Sequence, residues 1–324
     1  MRKRISVVAA CLALAAALVV PAAAQDYPTR PITLIVPYPP GGGVDAMARI
    51  IADKLAAGLG QQVIVDNRGG GGGNIGARAV ARAAPDGYTL LLGHSATISI
   101  NPHLYRNAGY DPRKDFAAVG LIASMPVVLI AHPSFPAKTV AEVIAHAKTN
   151  AGKFNIGTSA IGTGSYMCAE LFKSMAGADM TLVPYKGTAA VMNDLLGGHV
   201  PIAFGVIPPA LGNVRSGALR AIAVTSLKRT SLLPDVPTVA ESGLPGFEAV
   251  LNYGVLAPAG TPRPIIERLS RIIAEAVASE DVRARIANEG GDPLTGSPED
   301  YTADIARDGG KWAELIAKLG LTVD

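Results

Sequence analysis

The chain has 324 residues, with 29 Lys and Arg against 26 Asp and Glu, a formal charge of +3. Arg2, Lys3 and Arg4 account for that excess, so the remainder is neutral and lacks the basic surplus of a nucleic-acid surface. Its two cysteines, Cys11 and Cys168, cannot build a cysteine metal cluster, and the length suits one large domain or two medium ones.

The basic start leads into an apolar run, Ile5 to Val20, broken only by Ser6, and then into Ala22-Ala23-Ala24. That order reads as a secretory signal with cleavage before Gln25. The run is short for a membrane span, and Pro21 breaks it. Val8-Ala9-Ala10-Cys11 matches a lipoprotein box only loosely, because little apolar sequence precedes Cys11. Cleavage leaves Cys168 alone, so no internal disulfide can form, and a bacterial periplasm is the expected location. No later segment is long and apolar enough to cross a bilayer.

Ile32 to Val36 reads as a strand that ends at Pro37. Pro39 and Pro40 stiffen the exit, Gly41 to Gly43 let the backbone turn closely, and a helix follows from near Val44 to about Leu59. A strand, a glycine loop and a helix N-terminus make an anion seat. Val63 to Val65 is the second strand. Gly69 to Gly73, then Asn74-Ile75-Gly76, lead into an alanine-rich helix. Tyr88 to Leu92 is the third strand, so the order is that of a covered parallel sheet. Gly71 to Gly76 fits G-x-G-x-x-G, but Leu91 and Leu92 stand where a dinucleotide site needs an acid, and no Gly-Lys-Ser/Thr follows. The turn still brings N–H groups near a ligand, with Asn74 beside it. Ser95, Ala96 and Thr97 leave the third strand where an α/β sheet opens onto a cleft.

Val127 to Ala131 is a further strand, and Thr139 with Glu142 forms a capping box for the helix after it. A second unit repeats the logic of the first. Phe154 to Gly157 is a strand, Thr158 to Ser165 a hydroxyl- and glycine-rich loop, and Tyr166 to Ala176 a helix capped by Thr163 or Ser165. Thr181 to Pro184 leads through Tyr185-Lys186-Gly187-Thr188 into a helix over 189–196, with the Thr188 hydroxyl near its start. Val200 to Val206 is a strand, Pro208-Pro209 lie beyond it, and a helix begins at Leu211. Leu219 to Thr225 is a strand, and 231–248 is a crossover without a packed helix. Val255 to Ala257 is a short strand, and a long amphipathic helix carries Ile265 to Val277. A short helix over 282–287 follows, and Ser297-Pro298 opens the last one.

Catalytic equipment is sparse. Gly162 to Tyr166 lacks the final glycine of a nucleophile elbow, Cys168 lies in an apolar helix pattern, and the five histidines make no metal spacing. Neither a metal nor a cofactor is expected. The residues point to a binder of small acids, and an α/β enzyme acting on a small organic acid is the alternative.

Several loop motifs, in this order, resemble the solute receptors of tripartite tricarboxylate transporters, the Bug or tricarboxylate-receptor family. They include Pro37-Tyr38-Pro39-Pro40-Gly41-Gly42 with Asp45, and Gly72-Gly73-Asn74-Ile75-Gly76. Asn101-Pro102-His103-Leu104-Tyr105, Gly162-Thr163-Gly164-Ser165 and Pro184-Tyr185-Lys186-Gly187 follow. Pro234 to Glu241 and Ala257 to Pro262 complete the set.

The resemblance implies an α/β two-domain periplasmic-binding flytrap of type II-like form, each domain a mostly parallel sheet covered by helices. It places residues 25–126 in a first domain and 127–252 in a second, with 253–324 returning to complete the first. It implies a monomer that binds a small organic carboxylate and docks on the small and large permease subunits of a transporter. A ligand carboxylate is expected at Thr163, Gly164, Ser165 and Thr188, facing Pro40, Gly41, Gly42, Gly43 and Ser95, Ala96, Thr97. Asn74, Tyr185 and Gly205 complete the candidate contacts. Two positions depart from the family pattern. Gly205 stands where relatives often carry Asp, which argues against an amino-acid ligand. Asn252 replaces a frequent Trp, which implies an altered pocket wall or hinge.

Overall fold

Short branched runs followed by Gly/Pro turns and amphipathic helices give two similar α/β units in the computed structural model, which describes residues 27–324. The expected signal segment lies outside the described residues. The first unit runs β1 (Ile32–Val36), α1 (Gly43–Leu59), β2 (Val63–Asn67), α2 (Asn74–Ala81) and β3 (Thr89–His94). A π-helical turn, Ala96–Ile100, and the short α3 (Asn101–Leu104) lead to the long strand β4 (Phe116–Ala131). The second unit holds α4 (Val140–Thr149), β5 (Asn155–Thr158), α5 (Gly164–Ala176), β6 (Thr181–Pro184), α6 (Thr188–Leu196), β7 (Ile202–Val206), α7 (Ile207–Arg215) and β8 (Arg220–Val224). The chain returns through β9 (Val250–Pro258), α8 (Arg263–Ala278), α9 (Glu280–Asn288), β10 (Asp292–Pro293) and α10 (Pro298–Leu319). None of the described helices is long and apolar enough to cross a membrane.

The strand order is β2-β1-β3-β9-β4-β7-β5-β6, with β8 and β10 also paired to β4. Pairing is parallel within each unit, β1 with β2 and β3, and β5 with β6 and β7. It is antiparallel where the chain crosses between units and returns. β4 pairs with β9 from Phe116 to Pro126, then with β7 and β8 from Val127 to Ala131. The sheets are therefore mixed, because one long strand enters the second unit and β9 runs back beside it. Buried Thr225 ties both crossings. Its N–H donates to Val127 O at 3.1 Å, its hydroxyl lies 2.7 Å from Ala249 O and 3.0 Å from Val127 O, and its backbone oxygen accepts from Ala249 N–H at 3.0 Å.

β4 starts well before the expected Val127. Phe116 to Met125 is rich in Ala and Gly, so its strand form comes from burial between neighbours more than from propensity. β9 likewise exceeds the expected Val255 to Ala257. α7 begins at Ile207 and takes Pro208 and Pro209 into its first turn, where the missing N–H groups have no helical partner to lose. Thr139, Thr163 and Ser297 cap their helices as expected. Glu142 Oε2, however, accepts from Lys138 N–H and not from Thr139 N–H, so the box expected there is only half formed. Thr139 Oγ1 accepts from Glu142 N–H at 3.2 Å, and Ser297 with Asp300 closes a reciprocal box. One apolar core joins β1, β3, α1 and α8 through Leu34, Met47, Ile51 and Ile273. Another gathers Phe172, Phe204 and Phe247 under the second unit and includes Trp312, Leu315 and Ile316 of α10. The last helix begins on the first unit through Tyr301 and Ile305 and ends on the second.

Candidate functional site

A cavity of about 220 Å³ opens where the two units meet. Tyr38, Gly72, His94, Ala96, Asn101 and Tyr105 line it from the first unit. Ser159, Ile161, Gly162, Thr163, Gly164 and Ser165 line it from the second, and Val127, Val206 and Leu251 line it at the crossings. A larger depression, about 500 Å³, lies on the outer face between Pro102 to Arg113 and α10. It meets neither glycine-rich loop, so loop chemistry favours the smaller cavity.

The second-unit wall is the start of α5. Thr163 Oγ1 accepts from Tyr166 N–H at 3.4 Å and donates to Ala160 O at 2.6 Å, which fixes the turn. Ser165 Oγ accepts from Ser159 N–H at 3.1 Å and shares a short hydrogen bond with the Ser159 hydroxyl. The remaining first-turn N–H groups, at Gly164 and Ser165, have no partner within the helix and carry the positive end of its dipole. Both glycines of this loop permit close approach of the two units. A Cβ on Gly162, whose φ is +83°, would lie 2.7 Å from Leu104, and one on Gly164 would lie 2.4 Å from Leu251.

The facing wall is built around Gly72. Gly70, Gly71, Gly72 and Gly73 all have positive φ, at 121°, 56°, 66° and 99°, a run that side chains would strain. Gly72 O accepts from Asn101 Nδ2 at 2.8 Å and from the Tyr38 hydroxyl at 3.2 Å. Tyr38 in turn bonds the Thr97 hydroxyl at 2.8 Å. Burial pushes the Tyr38 phenol up to about 12 and His94 down to about 4. His94 sits between the rings of Tyr38 and Tyr253, at centroid distances of 5.5 and 4.8 Å, and is neutral at physiological pH. No Lys, Arg, Asp or Glu is among the residues lining the cavity. An anion there meets the N–H groups of Gly164 and Ser165 and the paired hydroxyls of Ser159 and Ser165, because Asn101 Nδ2, Tyr38 and Thr163 already donate within the protein.

Of the sequence-selected residues, Ala96, Thr163, Gly164 and Ser165 come together at this cavity. Asn74 and Thr97 stand behind the wall. Asn74 Oδ1 accepts from Asn101 Nδ2 at 2.9 Å, and Thr97 bonds Tyr38. Ser95 Oγ turns to β9 and accepts from Asn252 N–H at 2.8 Å. Pro40, Gly41, Gly42 and Gly43 are exposed at the start of α1, and Gly41 N–H donates to Asp45 Oδ2 at 3.0 Å. Asp45 Oδ1 also accepts from Asn67 Nδ2 at 3.0 Å, so the proline–glycine loop is held internally. Tyr185 donates to Asp194 at 2.7 Å. Thr188 begins α6 outside the lining. Gly205 backs onto Ile130, 3.2 Å from its built Cβ, and strand alternation gives the cavity-facing place to Val206.

Sequence reasoning did not select Tyr38, Gly72, His94, Asn101, Tyr105, Ser159, Ile161 or Gly162 as contacts. Most fall inside the quoted motifs, so the motif positions held a signal that residue chemistry alone did not.

The model of the tripartite tricarboxylate transporter family receptor matches residues 47–321. The chain belongs to that receptor family. The receptor is 39% identical over 306 residues to protein BugT of Bordetella pertussis, with 94% of each chain covered. Its fold matches R. palustris Rpa4515 with adipate at a TM-score of 0.78 and 36% identity, covering 91% of this chain and 99% of that one. It matches MatC (Rpa3494) from Rhodopseudomonas palustris with bound malate at 0.74 and 33%, covering 90% and 100%. The family expected from the loop motifs is thus shown. The receptor's two units are the α/β domains of a flytrap-like periplasmic-binding fold.

Proposed function

We propose that this receptor captures a small organic carboxylate in the cleft and hands it intact to the small and large membrane subunits of its transporter. One observation carries the ligand class. The cavity at the domain junction sets the N-terminus of α5 and the hydroxyls of Ser159, Thr163 and Ser165 opposite Tyr38, Asn101 and Tyr105. Backbone N–H groups and hydroxyls hold a carboxylate without a cationic side chain, and closure strengthens those bonds by excluding water. The size agrees, since 220 Å³ lies below the roughly 300–1,000 Å³ of pockets for drug-sized ligands. The adipate and malate named with two similar structures are small diacids.

The family and a cleft whose one histidine is buried among aromatic rings support receptor action in place of catalysis. The basic and apolar start fits export, with the signal cut before Gln25 and a monomer working in the periplasm. The domain division at 126/127 and near 252/253 fits rotation about the two crossings that Thr225 ties together. Isothermal titration and thermal unfolding of residues 25–324, refolded free of ligand, test the reading. A stoichiometric, chemically unchanged acid that raises the unfolding temperature supports it, by mass action about 2.7 kcal/mol at a hundredfold excess over Kd. Ser165→Ala should weaken that binding. Silence across a broad acid panel, or turnover of the bound acid, refutes it.

A further inference from the structure

Resting on the reading of a carboxylate receptor, the geometry points to a narrower ligand class: an acid whose body is bare hydrocarbon, chain or ring, without hydroxyl or amino substituents. Between the polar walls the lining consists of Ala96, Val127, Val206, Leu251 and Ile161. Val127 and Val206 are register partners across β4 and β7, so their apolar side chains form one continuous floor at the crossing. Leu251 closes that floor against Gly164 at the head of α5. Ile161 lines the mouth and is 52% exposed, a large apolar side chain left for a bound body to cover.

A substrate hydroxyl over this floor would lose water and find no partner. An amino group would find no carboxylate, since none lines the cavity. A third acid group would meet no cationic side chain, because the seat offers one helix N-terminus and neutral donors. Apolar sites reject an added hydroxyl by about 100-fold at most, and that sets the expected scale.

Matched pairs give the test: succinate against malate, and glutarate against glutamate, titrated into residues 25–324 refolded free of ligand. The unsubstituted acid of each pair should bind roughly 10- to 100-fold tighter. Val206→Thr keeps the side-chain shape at a half-buried site and supplies a hydroxyl partner, so it should narrow the succinate-to-malate ratio severalfold. Ile161→Asn, on the exposed rim, should weaken the hydrocarbon acids and leave thermal stability unchanged. Malate or glutamate binding as tightly as its partner overturns this inference while leaving the receptor reading in place. An unaltered ratio in Val206→Thr overturns it too. Binding by no acid in the panel removes both.

Discussion

Gly164 is where helix chemistry and domain contact compete, and Gly164→Ala separates them. Alanine at a helical position is favoured over glycine by roughly 0.5–1 kcal/mol, with less of that gain at the first residue. The new methyl would sit 2.4 Å from Leu251 Cδ2, 2.9 Å from Cδ1 and 3.0 Å from Cγ. Overpacking of this kind typically costs about 1–3 kcal/mol. Leu251 is only half-buried, so its tip can turn, and the nearest space is the cavity it lines. Stability of the empty protein should therefore fall by no more than about 2 kcal/mol. Acid binding should fall by tenfold or more, about 1.4 kcal/mol, because the displaced leucine occupies ligand volume and holds the cleft ajar.

A double-mutant cycle with Leu251→Ala isolates the contact. Leu251→Ala alone weakens the floor, whereas in the doubly substituted protein the clash is gone and part of the Gly164→Ala defect is recovered. The coupling should lie between about 0.5 and 3 kcal/mol. Urea denaturation without ligand and calorimetric titration with succinate or adipate give the two readouts. Wild-type affinity in Gly164→Ala, with the substitutions additive within about 0.5 kcal/mol, would refute the reasoning.

Gly72→Ala combines a φ of +66° with a built Cβ 2.4 Å from the Tyr105 hydroxyl, so thermal unfolding should show a loss of about 1–3 kcal/mol; a wild-type melting temperature would contradict the close approach. Burial pushes the Asp45 carboxyl up, but bonds from Arg49, Gly41 and Asn67 together hold it below its ordinary value. Stability from that group is present above the unfolded pKa and is lost as pH falls through the native one, so Asp45→Asn should flatten the decline in urea midpoint below about pH 4. An acid limb identical to wild type refutes this. For Asp304, burial raises the carboxyl more than Asn252 and Arg307 lower it, so the wild type loses stability as pH rises through the native value. An amide there still accepts from Asn252 Nδ2 and can donate to Asn252 Oδ1, which has no partner among the described residues. Asp304→Asn is thus expected to be neutral to about 1 kcal/mol more stable near pH 8, with the gain gone near pH 4, and a destabilised variant at pH 8 would contradict it.

The turns were legible because their chemistry is local. Gly70 to Gly73 adopt conformations that only glycine tolerates readily, and Thr163 and Ser297 announce helix starts within three residues of themselves. The cavity wall was less legible because distant chain sets it. Tyr105 is held by a parallel bridge to Val323 at the other end of the protein, and Leu104 O accepts from Val323 N–H at 2.9 Å. Phe116 to Met125 looks weak as a strand until β9 lies beside it. Asn74 and Thr97 carry polar groups suited to a ligand, yet those groups bond Asn101 and Tyr38. Which of two equally suitable hydroxyls faces the cleft is a matter of packing, not of residue type.

Asn252 shows the same point at one of the family departures. The sequence pattern suggested a changed pocket wall or hinge. The side chain is buried and misses the cavity; its Nδ2 donates to both Asp304 oxygens, at 3.1 and 3.0 Å, while its N–H donates to Ser95. A bulky ring there would have packed β9 against α10 through area alone. The side-chain amide instead ties the returning strand to the last helix, while the backbone N–H, which any residue there would keep, binds the turn that carries Ala96. α10, which touches both domains, is thereby bonded to β9, the strand whose Leu251 lines the cavity beside Val127 and Val206.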